Sequence, residues 1–236
     1  MPRTQLQPYQ VNSSGGGGVD WKKTRIIITD FINTSIDPGW ATRNSGTGSG
    51  VAFGATPRDG IVGLALASTG TDTNGFAGVS TIDNLTQISP VDGDFTIVGK
   101  FITPTTLSNA TDRYAIFCGI NESNAGLGAD HLVMQYSDNI NSGKFQVVMS
   151  IGGVNRATID TGITVAADTV YNVAIVVTGS TQAIEVFVNG VSVGTATPSA
   201  TFGTGNRVSP IHTIAKQAGT SNRVLGMDRF GIIFAA

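Results

Sequence analysis

The sequence predicts an all-β fold, two antiparallel sheets packed as a jelly-roll sandwich behind an extended N-terminal arm. Three observations carry that prediction. Short runs with strand character recur along the chain, separated by clusters of Gly, Asn, Asp, Pro and Ser. Several alternate with period two, as where Phe95, Ile97 and Gly99 stand against Thr96, Val98 and Lys100. No window shows a capped apolar stripe at helical spacing. The connections are also too short for the helical crossovers of a parallel sheet.

In chain order, residues 1–20 read as an arm and joint. Pro2 and Pro8 favour extended backbone, and the run Gly15–Gly18 has no side chains to pack. Residues 21–236 read as the sandwich, which opens after Trp21 on the β-branched run Thr24–Ile32. The glycine-rich stretch Asn44–Gly54 reads as a long loop within it. Strands are expected over Ile61–Ser68, Asp94–Ile102, Tyr114–Ile120, His131–Tyr136, Lys144–Ile151 and Asn155–Asp160. Further strands are expected over Val170–Thr178, Ala183–Asn189, Arg207–Ala215 and Arg223–Phe234. Asn189-Gly190 favours a type I′ turn that pairs Ile184–Val188 with Val191–Thr195.

A length of 236 residues suits one large β-domain, and 40% hydrophobic residues supply its core. Charged residues make up only 13%, about half of the usual share of roughly 25%. With 14 basic and 16 acidic residues the net charge is −2, and no basic face marks a nucleic-acid partner. No run approaches the roughly 20 apolar residues of a membrane span, so membrane insertion is not expected. Met1–Asp20 lacks the apolar core of a secretory leader, which points to synthesis in the cytoplasm. The single cysteine, Cys118, sits in the apolar run Tyr114–Ile120 and reads as a small buried hydrophobe.

Catalytic chemistry finds little to work with. The chain has two glutamates, Glu122 and Glu185, on separate segments. Glycoside hydrolysis needs two carboxylates about 5–9.5 Å apart. Asp92 and Asp94 read as turn chemistry before Phe95. His131 follows Asp130, but neighbouring strand residues point to opposite faces. Asp138, Asn139 and Asn141 read as a hairpin loop rather than a calcium site. Gly46-Thr-Gly-Ser-Gly50 lacks the Lys-Ser/Thr and helix of a phosphate loop. The chain is therefore expected to be no enzyme and to hold no metal or cofactor. Among the aromatics, Trp21, Trp40, Tyr114, Tyr136 and Tyr171 are most able to stack on a sugar. Tyr171 is expected in the core. Trp40, after the turn-like Asp37-Pro38-Gly39, is the residue singled out for glycan contact.

The segment Asp168–Val177, the turn Thr178–Thr181 and the segment Gln182–Gly194 resemble the laminin-G-like modules of the concanavalin A-like jelly rolls. Arg223–Phe234 resembles the closing strand of that family, and Gly93–Phe101 a strand that crosses the middle of its sandwich. The resemblance runs from about Asp92 to the C-terminus. Where the family often has Trp-Tyr-His, this chain has Val170-Tyr171-Asn172, and a clustered metal-ligand set is missing. The Glu-x-Asp-x-x-Glu of glucanases with this fold is missing too, so the resemblance implies the fold more than any site.

The proline-containing arm, glycine joint and Ser/Thr/Gly-rich β-domain also resemble tailed-phage virion proteins such as tail fibres, head fibres and decoration proteins. That likeness implies a non-enzymatic virion structural protein, an oligomer of identical chains located in the virion. Its arm would dock on other virion proteins through Leu6, Tyr9 and Val11, and its sandwich would meet host-surface glycans. The alternative is a stand-alone lectin-like carbohydrate-binding module. An endoglycosidase comes third, for want of carboxylates.

Overall fold

Residues 26–30, 36, 39–54, 64–81, 88–90, 93–123 and 126–234 are described by the computed structural model. Leu6, Tyr9, Val11 and Trp21 lie outside them. The strands in the first half are β1 (Ile26–Asp30), β2 (Trp40–Ser45), β3 (Ser49–Ala52), β4 (Ala65–Thr69) and β5 (Phe76–Thr81). Next come β6 (Phe95–Ile102), β7 (Tyr114–Asn121), β8 (His131–Tyr136), β9 (Lys144–Ile151) and β10 (Val154–Thr164). The chain closes with β11 (Val170–Thr178), β12 (Ala183–Val188), β13 (Val191–Ala196), β14 (Ser209–Lys216) and β15 (Val224–Phe234). A single 3-10 turn, Asn141–Gly143, is the one helical element among the described residues.

These strands make two sheets in which every described ladder between strands is antiparallel. One runs β13-β12-β11-β6-β15-β4-β3, with β1 pairing the C-terminal half of β15. The other runs β10-β9-β8-β7-β14-β5-β2. The all-β jelly-roll sandwich expected from the sequence is what forms. Alternation explains its core: in β6 and β12 every second residue is buried, and Phe95, Ile97, Phe101, Ile184, Val186 and Val188 face the opposing sheet. Burying a large apolar side chain contributes about 1.5–3 kcal/mol each, which makes this face the main source of stability. The expected Asn189-Gly190 hairpin is present, with φ of 52° and 80° at those residues and Val188 paired to Val191.

Three strands, β2, β3 and β5, depart from the sequence reading. The stretch Asn44–Gly54 is not a long loop. It holds the end of β2, a tight turn at Gly46–Gly48 and all of β3, and it carries the chain from one sheet to the other. The turn is glycine-rich because Gly46 and Gly48 hold positive φ, 107° and 72°. A side chain at Gly70, on the neighbouring arch between β4 and β5, would stand 2.2 Å from the Thr47 carbonyl oxygen. Asp72 Oδ2 accepts from the Thr47 backbone N–H at 2.6 Å and ties the two arches together. Strand β5 escapes a reading by hydrophobicity because its sequence, Phe-Ala-Gly-Val-Ser-Thr, is made mostly of small residues.

Candidate functional site

In β7, Tyr114, Ile116, Cys118 and Ile120 point into the core, which leaves Ala115, Phe117, Gly119 and Asn121 on the outer face of the seven-stranded sheet. The ladders align one rung across all seven strands. It reads Arg43, Gly78, Thr213, Phe117, Gln135, Gln146 and Asp160. Ala115, Phe117, Val133 and Ile211 form a second, small apolar cluster on this outer face, distinct from the core. For that reason β7 and β8 are buried throughout rather than at alternate positions.

The polar groups of the rung are placed by short-range pairing. Gln135 Nε2 donates to Gln146 Oε1 at 3.1 Å. Arg43 Nε donates to Ser80 Oγ at 2.9 Å on the strand beside it. Asp160 accepts from Asn141 Nδ2 and from the Gly162 N–H, both at 2.8 Å, with Lys144 at 3.8 Å. Those hydrogen bonds, Asn141 first, hold its carboxyl below the usual carboxylate range. Gly78 keeps the floor low between Arg43 and Thr213, since a methyl group there would meet the His212 carbonyl oxygen at 2.3 Å.

The loop between β7 and β8 closes one side of the face. Asn121 Oδ1 accepts from the Gly128 N–H at 2.9 Å, and its Nδ2 donates to the Gly126 carbonyl at 2.6 Å. Glu122 accepts from the Ala129 N–H. Asp130 accepts from the Gly152 N–H at 2.7 Å and from Asn206 Nδ2. His131 Nδ1 lies 2.8 Å from the Gly128 carbonyl, and burial pushes its pKa down. Held this way, Ser123 and Gly126 stand over Phe117 and Ile211, around a cavity sized for about one water molecule. Phe117 is only 7% exposed as a result. Thr213 and Gln135 are buried too, at 7% and 9% exposed, so the rung opens to solvent at the rim of Gln135 and from the half-buried Gln146 outward.

The structure separates most residues the sequence singled out. Trp40 is a correction: it is 5% exposed and meets Phe230 edge-on at 5.6 Å, so it fills the core instead of facing a glycan. Glu122 belongs to the β7–β8 loop, whereas Glu185 lies in the other sheet and accepts from Ser192 Oγ at 2.7 Å. Asp138 pairs with Arg113 at 3.0 Å and accepts from Ser108 Oγ, which holds its carboxyl low. Asp94 accepts from the Gly179 N–H at 2.7 Å, a loop-tying role. Tyr114, Tyr136 and Tyr171 are core residues, and burial pushes the Cys118 thiol up. No cluster of three metal-ligating side chains occurs among the described residues. Sequence reasoning missed the glutamine pair, whose signal was two Gln at alternate, outward positions of adjacent strands.

No protein-family model and no curated protein matches this sequence. Solved structures do match, and they show a concanavalin A-like jelly-roll fold. The carbohydrate recognition domain of Emp47p is 12% identical with a TM-score of 0.57, covering 94% of this chain and 100% of that one. The Bacillus licheniformis β-glucanase is 12% identical with a TM-score of 0.57, covering 89% and 98%. A botulinum neurotoxin type C structure, described as entering cells through two ganglioside molecules, is 11% identical with a TM-score of 0.56. It covers 88% of this chain and 47% of that one. These likenesses lend no support to the virion setting that the arm suggests.

Proposed function

We propose that this chain is a non-enzymatic carbohydrate-binding module whose contact face is the outer side of the seven-stranded sheet. One observation carries the reading. The rung from Thr213 to Gln146 is uncharged and hydrogen-bonding and lies beside an aromatic ring, and Asp160 at the sheet edge is the only carboxylate along it. Sugars are read by such planar amide and hydroxyl groups next to apolar surface. A retaining or inverting glycosidase needs two facing carboxylates at about 5–9.5 Å, which this rung does not supply. The carbohydrate recognition domains that share the fold support the same reading.

The test is the full chain on an array of neutral and acidic glycans, together with a reducing-end assay on soluble polysaccharides. Binding without release of new ends is expected. Release of reducing ends that disappears in Glu122→Gln would sink the non-enzymatic reading.

Display on a virion is the setting that the sequence of residues 1–20 favours. Deleting residues 1–18 is then expected to leave the thermal melt unchanged while abolishing incorporation into particles. Normal incorporation would refute an anchor built on Leu6, Tyr9 and Val11.

A further inference from the structure

We propose that the Gln135–Gln146 pair is the sugar-reading subsite of this face, and that it takes a neutral sugar carrying adjacent hydroxyls rather than an acidic one. The proposal rests on the glycan-binding reading above and names its ligand more narrowly. A primary amide offers two donors and one acceptor oxygen. The single bond between the two side chains uses one donor of Gln135 and the oxygen of Gln146. Gln135 Oε1 and the Gln146 NH2 group have no further partner among the described residues, and neither is sealed from solvent without one. An acceptor and a donor therefore sit side by side, on strands about 4.8 Å apart. Two neighbouring sugar hydroxyls, one giving and one receiving a hydrogen bond, match that arrangement. The mutual bond orients both amides before a ligand arrives, which lowers the ordering cost of binding.

The charges on the rung argue for neutrality. Asp160 lies one strand from Gln146, about 5 Å away, and its carboxyl is held ionised by its hydrogen bonds. Lys144, two residues before Gln146 on β9 and 3.8 Å from Asp160, offsets that charge, so the pair sits beside no net positive charge that would favour a uronate or sialate carboxylate. Arg43, the cation of the rung, is four strands from Gln135 and so roughly 19 Å away, beyond a Debye length at physiological salt.

The experiment compares the full chain with Gln146→Glu, Gln135→Ala and Arg43→Ala on matched neutral and acidic oligosaccharides, at low and high salt. Gln146→Glu keeps the oxygen that accepts from Gln135 and replaces only the outward donor, so the fold is conserved; thermal melts check this. Neutral glycans are expected to bind independently of salt, about tenfold weaker after either glutamine change, and equally well after Arg43→Ala. Preference for acidic glycans, with loss on Arg43→Ala or in salt, would overturn the subsite. Neutral binding untouched by both glutamine changes would overturn it too. In both cases glycan binding itself survives, whereas binding to nothing on the panel fails both proposals.

Discussion

Replacing Trp40 by alanine is expected to destabilise the sandwich by about 3–5 kcal/mol, the range for removing a large aromatic from a packed core. Trp40 opens β2, the edge strand of its sheet, and pairs there with Thr81. Its ring bridges the two sheets by standing edge-on to Phe230, which is fully buried on β15. Few other side chains tie β2 to the core, because Thr42 and Asn44 are small or polar. The loss is a large share of the roughly 5–15 kcal/mol that holds a typical domain. Urea unfolding of Trp40→Ala and Trp40→Phe measures it, with phenylalanine expected to recover part of the loss. A surface role in glycan contact makes the opposite prediction: unchanged stability and lost binding.

Acidification from neutral pH to about pH 4 is expected to weaken the fold, and His212→Leu to remove most of that dependence. His212 lies on β14 with its ring 5.1 Å from Phe101 and 5.3 Å from Phe230, and it is fully buried. Neither ring nitrogen has a hydrogen-bond partner among the described residues. Burial alone pushes its pKa down from 6.5 to about 3. The unfolded chain takes up a proton near pH 6.5 that the folded chain refuses until about pH 3, so stability falls throughout that window as pH drops. Such a shift corresponds to a few kcal/mol at the acid end. His131, also held below its usual value by burial, adds a smaller change of the same sign. The carboxyls of Asp112, Asp138 and Asp160 are lowered and contribute only further down, below the ordinary carboxylate pKa. At neutral pH, His212→Leu replaces two unsatisfied buried nitrogens by hydrocarbon and is expected to stabilise the chain by about 1–3 kcal/mol. Thermal melts across the pH range decide this; identical pH profiles for the two proteins would contradict it.

The fold was legible where alternation was strong. Strands β6, β11 and β12 carry β-branched and aromatic residues at every second position, and their limits agree with the sequence reading to within a residue or two. It was illegible where contacts at long range choose the residues. Gly78 in β5 and Gly70 in the arch beside it are glycines because backbone from distant segments passes within 2.3 Å of where a side chain would start. Locally they look like loop. The candidate site was harder still, since its members Thr213, Phe117, Gln135 and Gln146 come from four strands and meet only through sheet register. Trp40 shows the same limit in reverse, because a tryptophan after a Pro-Gly turn reads alike whether the turn sends it outward or inward.

The most direct measurement is backbone amide shift mapping on the isotope-labelled full chain, titrated with the neutral oligosaccharide that ranks first on the array. Shifts are expected to concentrate on Phe117, Gln135, Gln146, Thr158 and Thr213, on the outer face of the seven-stranded sheet. Saturable shifts confined to the outer face of the other sheet, around Lys100, Asn172 and Arg229, would contradict the account.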